Sequence, residues 1–265
     1  LSLFSLPIIA SESWKPLGDE DPILRILGLL VATIGLPYAL LSTTTPLMQA
    51  WYWRSFQQSV PYRLFALSNA ASLAALLGYP TLIEPYFGGK QTAQVWSLAY
   101  ALFVALCIWV GWKSIQPGTK AQRSVPTEPG QIPVDAPSLT AQLSWILLAA
   151  LGSAVLLAVT NHLTQNISSV PFLWVLPLAL YLVTFIICFD RPQWYHRGIW
   201  GLAAAISLPL MVYFADSLAL FQVSGLYAVG LFAACMFCHG ELATLKPHPS
   251  QLTRFYLAMS LGGAL

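Results

Sequence analysis

The chain alternates between long apolar runs and short polar breaks, and the lengths of the runs decide what they are. A helix needs roughly 20 mostly apolar residues to cross about 30 Å of hydrocarbon. Seven stretches reach that length, at about 23–41, 64–83, 94–112, 143–160, 171–189, 198–215 and 220–238. An eighth begins near Leu252 and breaks off at Leu265 in a run of small residues. None of the runs alternates with the period of two that a membrane β-strand shows. Since lipid tolerates only helices or closed barrels, the pattern predicts an all-α, polytopic bundle of transmembrane helices.

Basic residues give the bundle a direction. The breaks alternate between poor and rich in Lys and Arg. The poor set holds Lys15 and Lys90, with none between Asn161 and Val170 or around Asp216. The rich set holds Arg54, Arg63, Lys113, Lys120, Arg123, Arg191, Arg197, Lys246 and Arg254, nine residues against two, and Arg25 at the edge of the first helix completes the twelve. By the positive-inside rule the rich breaks are cytoplasmic, which places Leu1 outside. Trp51, Trp53, Trp109, Trp112, Trp145, Trp194 and Trp200 fall near the same inner ends, where they read as interfacial anchors.

Composition closes off the soluble alternatives. Apolar residues make up 57% of the chain and charged residues 8%, against about 25% charged in soluble domains. A net charge of +2 leaves no basic field for nucleic acid. The partner the composition implies is the lipid bilayer. The first residue is Leu1, no basic leader or cleavage site opens the chain, and the last helix is incomplete. The sequence therefore reads as part of a longer protein.

Residues 116–137 break the apolar pattern with five prolines (117, 126, 129, 133 and 137), two glycines and scattered charges. Such a composition is an extended linker. It divides the chain into a first helix group at 1–112, a cytoplasmic linker at 113–140 and a second helix group at 141–265. A cytoplasmic linker between two helix groups is also what a two-lobed, major-facilitator-like transporter has. The second helix carries Ser68, Ala71, Ser72, Ala74, Ala75 and Gly78, a small-residue face suited to close helix packing. Asn69 and Ser72 are placed to hydrogen-bond across the bundle.

Three longer strings carry a resemblance. They are PYRLFALSNAASLAALLGYPTLIEP at 61–85, NHLTQNISSVPFLWVLPLALYLVTFIICFD at 161–190 and CHGELATLKPHPSQLTRFYLAMSLGGAL at 238–265. Together they resemble the membrane region of bacterial fused major-facilitator/spermidine synthase proteins, over most of the chain from about Ile23. The resemblance implies a multi-pass membrane module of a bacterial inner membrane joined to a Rossmann-like aminopropyltransferase domain. That domain's Gly-rich loop has no counterpart here, because Gly88–Gly89 and Gly262–Gly263 are isolated pairs and not G-x-G-x-x-G. No catalytic residue carries over, and the chain is expected to act as a non-catalytic scaffold or anchor. Its expected partners are a soluble synthase domain or other membrane subunits.

The remaining chemistry lies in a few polar positions. Cys235-Met-Phe-Cys238-His239 has the C-x-x-C-H form of covalent haem attachment, yet it lies in an apolar helix, where Cys is commonly a small buried hydrophobe. No cofactor is expected, with haem a minor alternative. His239 and Glu241 follow at the inner end of the seventh helix, with Arg254 thirteen residues beyond Glu241. They form either a cytoplasmic gate or an interfacial cap. On the outer side Glu84 ends the second helix, and Asn161, His162, Gln165 and Asn166 follow the fourth. They line a cavity for a cationic amine such as a polyamine, the transporter alternative, or they cap helices around a plain turn. Asp190 and Asp216 read as interfacial, and Cys107 and Cys188 suggest no disulfide framework.

Overall fold

The computed structural model describes residues 2–9, 14, 22–56, 61–115, 136–166, 171–215 and 220–265. Among these residues the protein is all-helical, with no strand. The helices are α1 (Pro22–Leu30), α2 (Leu36–Phe56), α3 (Pro61–Gly78), α4 (Gly89–Ile115), α5 (Leu139–Asn166), α6 (Pro171–Asp190), α7 (Arg197–Tyr213), α8 (Leu220–Thr244) and α9 (Leu252–Ala264). Every predicted apolar run falls on helix, and several helices run further than hydropathy indicates. Most of the proline-rich linker, Lys15, Lys120, Arg123, the break at 167–170 and Asp216 lie outside the described residues.

Five helical segments are long and apolar enough to cross a membrane: Ile23–Tyr52, Tyr62–Ile83, Gly89–Lys113, Leu139–Gln165 and Phe221–Thr244. Two apolar helices, Trp174–Asp190 and Arg197–Tyr213, are shorter over the described residues.

The first span illustrates why polar letters did not end a helix. α1 and α2 are joined by a π-helical turn at Val31–Gly35, and α2 continues through Ser42, Thr43 and Thr44. Their hydroxyls donate back to Ala39 and Leu40 carbonyls at 2.8–2.9 Å, so each polar group is satisfied inside its own helix, as lipid requires. A second π-helical turn occupies Tyr79–Ile83. Both turns coincide with proline, Pro37 just after the first and Pro80 within the second. Proline lacks an N–H and its ring crowds the carbonyl four residues back, which a locally widened turn relieves.

The chain divides into two compact units, Leu1–Phe56 with Tyr79–Pro126, and Gln57–Gly78 with Thr127–Leu265. The first contains α1, α2 and α4. In it the Trp51 ring lies against Gly111 of α4, Trp96 stacks on Tyr100, and Lys113 sits 4.5 Å over the Trp109 ring.

The second unit holds α3 and α5–α9 around two apolar clusters. One joins α3, α5, α6, α8 and α9 through Tyr62, Trp145, Phe185, Phe189, Met236 and Phe255. The other joins α5, α7 and α8 through Val159, Leu163, Met211, Tyr227, Leu231 and Cys235. Only α8 and α5 contribute buried residues to both, so they form the spine of this unit. α9 approaches α5 so closely that a Cβ on Gly262 would collide with the Ile146 carbonyl oxygen. The contact requires glycine.

Three expectations fail here. Ala71, Ser72, Ala74 and Ala75 of the small-residue face are not buried against a neighbouring helix, and α3 packs instead through Tyr62, Phe65 and Ala66. Asn69 and Ser72 donate to Phe65 and Ser68 carbonyls of their own helix, the cheaper way to satisfy them in an apolar setting. Trp145 is no interfacial anchor: it is fully buried, packed edge-on against Phe255, and its indole N–H donates to the Leu245 carbonyl at 3.1 Å.

Candidate functional site

The polar chemistry of the second unit gathers on α8 at His239-Gly240-Glu241. Hydropathy ends the helix at Cys238, but α8 continues to Thr244. His239 is therefore inside the helix and completely buried, so it does not snorkel to the interface. Its ring stacks on Phe185 at 3.5 Å and meets the edge of Tyr181 at 4.7 Å. Nδ1 lies 2.9 Å from the Thr184 hydroxyl of α6. The same hydroxyl lies 2.7 Å from the Tyr181 carbonyl, and whether it donates to Nδ1 or accepts from it depends on the imidazole tautomer. Nε2 has no hydrogen-bond partner among the described residues. Gly152 of α5 faces it, a Cβ there coming within 3.3 Å of Nε2.

Gly240 lies under the Tyr195 ring, where any Cβ would collide with ring carbons. This allows the Tyr195 hydroxyl to donate to Glu241 Oε1 at 2.5 Å, while Arg197 Nε reaches the same oxygen at 3.1 Å. Burial and this hydrogen bond push the Tyr195 phenol up from its ordinary range, so it remains a donor at physiological pH. Glu241 ties α8 to the start of α7 and to the segment after α6. Beside it, Arg63 Nε of α3 pairs with Asp190 Oδ1 of α6 at 3.1 Å, and Arg191 lies 3.6 Å from Oδ2. The Tyr62 hydroxyl donates to the Pro247 carbonyl.

These links place the start of α3, the end of α6, the start of α7 and the end of α8 in one layer. Arg63, Arg191, Arg197 and Lys246 share it, so the basic residues that alternate along the sequence do collect at one end of this unit.

The opposite candidates are arranged differently. α5 runs through Asn166, so Asn161, His162 and Gln165 belong to a helix and not to a loop. Within it the Gln165 amide donates to Asn161 Oδ1 at 2.9 Å, on the exposed surface. His162 stacks flat on Tyr227 of α8 at 4.3 Å. Glu84 belongs to the first unit, in an exposed turn whose backbone N–H donates to the Tyr79 carbonyl. Cys235 and Cys238 are buried beside His239, Cys235 among α5, α7 and α8. Packed this way they serve as small hydrophobes, and their contacts leave no face for a porphyrin. Among the described residues no three His, Cys, Asp or Glu side chains converge to hold a metal ion.

Sequence reasoning did not reach Thr184, Ser153, Tyr181 or Tyr195, nor Gln49. Gln49 is completely buried in the first unit with neither amide atom partnered among the described residues. No pattern in an apolar run distinguishes a Thr that meets a His from one that faces lipid. Comparison with family models, with curated proteins and with solved structures gave no match.

Proposed function

We propose that this chain is a non-catalytic integral membrane module, a helical scaffold that anchors a soluble domain or packs into a larger membrane assembly. Supporting this is the way polar groups at the basic end of the second unit are used: Arg63, Asp190, Tyr195, Arg197 and Glu241 engage one another across helices. A carboxylate held by a guanidinium and a phenol together is a brace between elements.

In this reading α6, α7 and α9 also cross or enter the membrane, giving seven full helices and part of an eighth. The basic end faces the cytoplasm of a bacterial cell, as does the linker at 113–140. The likeness of three strings to the fused spermidine synthase proteins supplies the candidate partner, a soluble aminopropyltransferase domain. The test is affinity purification of the full natural protein in mild detergent, with Glu241→Gln beside it. Stable partners or an active fused synthase domain, with no solute flux in proteoliposomes, is the expected result. A monodisperse, partner-free protein that moves polyamines would overturn it.

The transporter-like alternative, with a polyamine or other small cation as cargo and a major-facilitator-like arrangement, draws support from one observation, the unpartnered Nε2 of His239 inside the bundle. Under that reading flux is lost in His239→Ala and Glu84→Gln. A haem-bearing role would require α8 to separate from α5 and α7, and a pyridine-haemochrome band from purified protein would revive it.

A further inference from the structure

We propose that Arg63 and Arg191, which contact the two oxygens of Asp190, hold the phosphodiester of an anionic phospholipid, one acyl chain of which lies on the exposed small-residue face of α3. The inference rests on the reading of this chain as a membrane module whose basic end meets a bilayer surface.

The two guanidiniums carry more donors than Asp190 can use. Each presents a planar fork of N–H groups. Arg63 gives one of them, from Nε, to Asp190 Oδ1 at 3.1 Å. Arg191 stands 3.6 Å from Oδ2, beyond hydrogen-bond distance, so its contact is Coulombic. Neither guanidinium makes another hydrogen bond or ion pair among the described residues. Their side chains are 68% and 63% exposed, which leaves the remaining N–H groups open to a ligand. Glu241 does not compete for them, because Tyr195 and Arg197 already engage it.

Charge selects an anion. Lys246 lies over the Tyr62 ring at 5.4 Å, and Tyr62 adjoins Arg63 in the chain. Arg63, Arg191 and Lys246 outnumber Asp190, so positive charge is in excess at the start of α3. A phosphodiester matches a guanidinium fork, and basic pockets between helices on the inner side bind lipid headgroups. A zwitterionic lipid sets its own ammonium against that excess. An anionic headgroup such as phosphatidylglycerol does not.

α3 supplies what separates a lipid from a soluble phosphate. The helix packs on its neighbours through Tyr62, Phe65 and Ala66. Arg63, Leu67, Ala71 and Ala74 recur at helical spacing on a different face, and all four are exposed. Beyond the guanidinium that face is apolar, and its small side chains let a methylene chain approach the helix closely. The stripe that meets no neighbouring helix is thus the floor for an acyl chain whose headgroup the arginines fix.

The test uses the full chain purified in mild detergent and titrated with dioleoylphosphatidylglycerol or dioleoylphosphatidylethanolamine. Native mass spectrometry counts the lipid retained. Phosphatidylglycerol should be retained in preference to phosphatidylethanolamine, and glycerol phosphate, a headgroup without chains, should not displace it. Arg63→Gln combined with Arg191→Gln should weaken phosphatidylglycerol binding roughly thirtyfold, at about fivefold per basic residue. Lys113→Gln, at the inner end of α4, should leave binding unchanged. Ala71→Trp fills the chain face without touching the ion pairs, so it should weaken retention while the melting temperature in lipid-free detergent stays the same. Should the arginine variant fail to fold, Ala71→Trp and the headgroup preference decide. Equal retention of the two lipids, displacement by glycerol phosphate, or wild-type binding in either the arginine variant or Ala71→Trp overturns the site, as does an equal loss in Lys113→Gln. If the chain nonetheless resists alkaline extraction from vesicles, the membrane module stands without the site; extraction by alkali overturns both.

Discussion

The two compact units differ in how much of themselves they bury. In the first, the 18-residue apolar window of the Ile23–Tyr52 span is 6% buried within the protein, and that of Gly89–Lys113 is 17% buried. In the second, the window of Phe221–Thr244 is 50% buried, enclosed by α5, α6 and α7, while those of Tyr62–Ile83 and Leu139–Gln165 are 6% and 22% buried, so the contrast is carried by α8. All five spans are apolar, so hydropathy does not separate them. The difference lies in what each helix offers its neighbours. α8 presents glycines where Tyr195 and Met211 press in, a buried imidazole and a braced carboxylate. The first span presents mostly large apolar side chains, whose natural contact is lipid. A helix crosses because it is apolar, but it takes a fixed place in a bundle because of its small and polar residues.

Breaking the core of the second unit should have the largest effect. Phe255→Ala, which removes a ring packed against Tyr62 and Trp145, should lower stability by about 3–5 kcal/mol, measured by denaturation in detergent micelles. Leu98→Ala in the first unit, at a side chain 75% exposed, should stay within about 0.5 kcal/mol. Equal losses at the two sites would erase the contrast between the units.

Next in size is the α5–α9 contact. Gly262→Leu forces a side chain into the Ile146 carbonyl and should cost about 1–3 kcal/mol or more, with protease cleavage between α8 and α9 rising accordingly. Gly78→Leu, where a Cβ would have no atom within 4 Å, should be tolerated in the same assay.

The brace comes third. Glu241 is only 13% exposed at its side chain, so Glu241→Gln, which keeps the shape but loses the charge, should cost about 1–2 kcal/mol. Tyr195→Phe should cost less, and the double variant should show coupling between the two. Asn161→Ala, at the exposed pair with Gln165, should lie within about 0.5 kcal/mol of wild type. If it instead abolished a measurable solute flux, the outer end of α5 would be a binding surface after all.

Much of the fold is legible in the sequence. Among the described residues the apolar runs fall on helix, and five of the helical segments are long and apolar enough to cross a membrane. Helix ends are not legible in this way: Ser42–Thr44, Asn161–Asn166 and His239–Thr244 read as loop or interface yet are helical, since local back-bonding or a partner on another helix satisfies them. The candidate residues divide on the same ground. Glu241 and Asp190 stand in a charged layer that the positive-inside pattern already marks. His239 stands out in the sequence as an ionisable residue near the membrane, but its burial depends on Thr184, Phe185 and Gly152, which are remote in sequence and unremarkable in composition. Pairings between helices carry no local signature.

The proposed module is a membrane bundle with its basic end inward, and single-cysteine labelling tests that proposal most directly. In a background with Cys107 replaced by Ser, the remaining cysteines are buried. Asn161→Cys and Lys246→Cys then report the two ends of the second unit, since Trp145 of α5 bonds Leu245 and Asn161 stands at the far end of α5. With a membrane-impermeant maleimide applied to intact cells, the expected result is labelling at 161, and at 246 only after the cells are opened. Labelling of 246 from outside, or of both positions in intact cells, would contradict it.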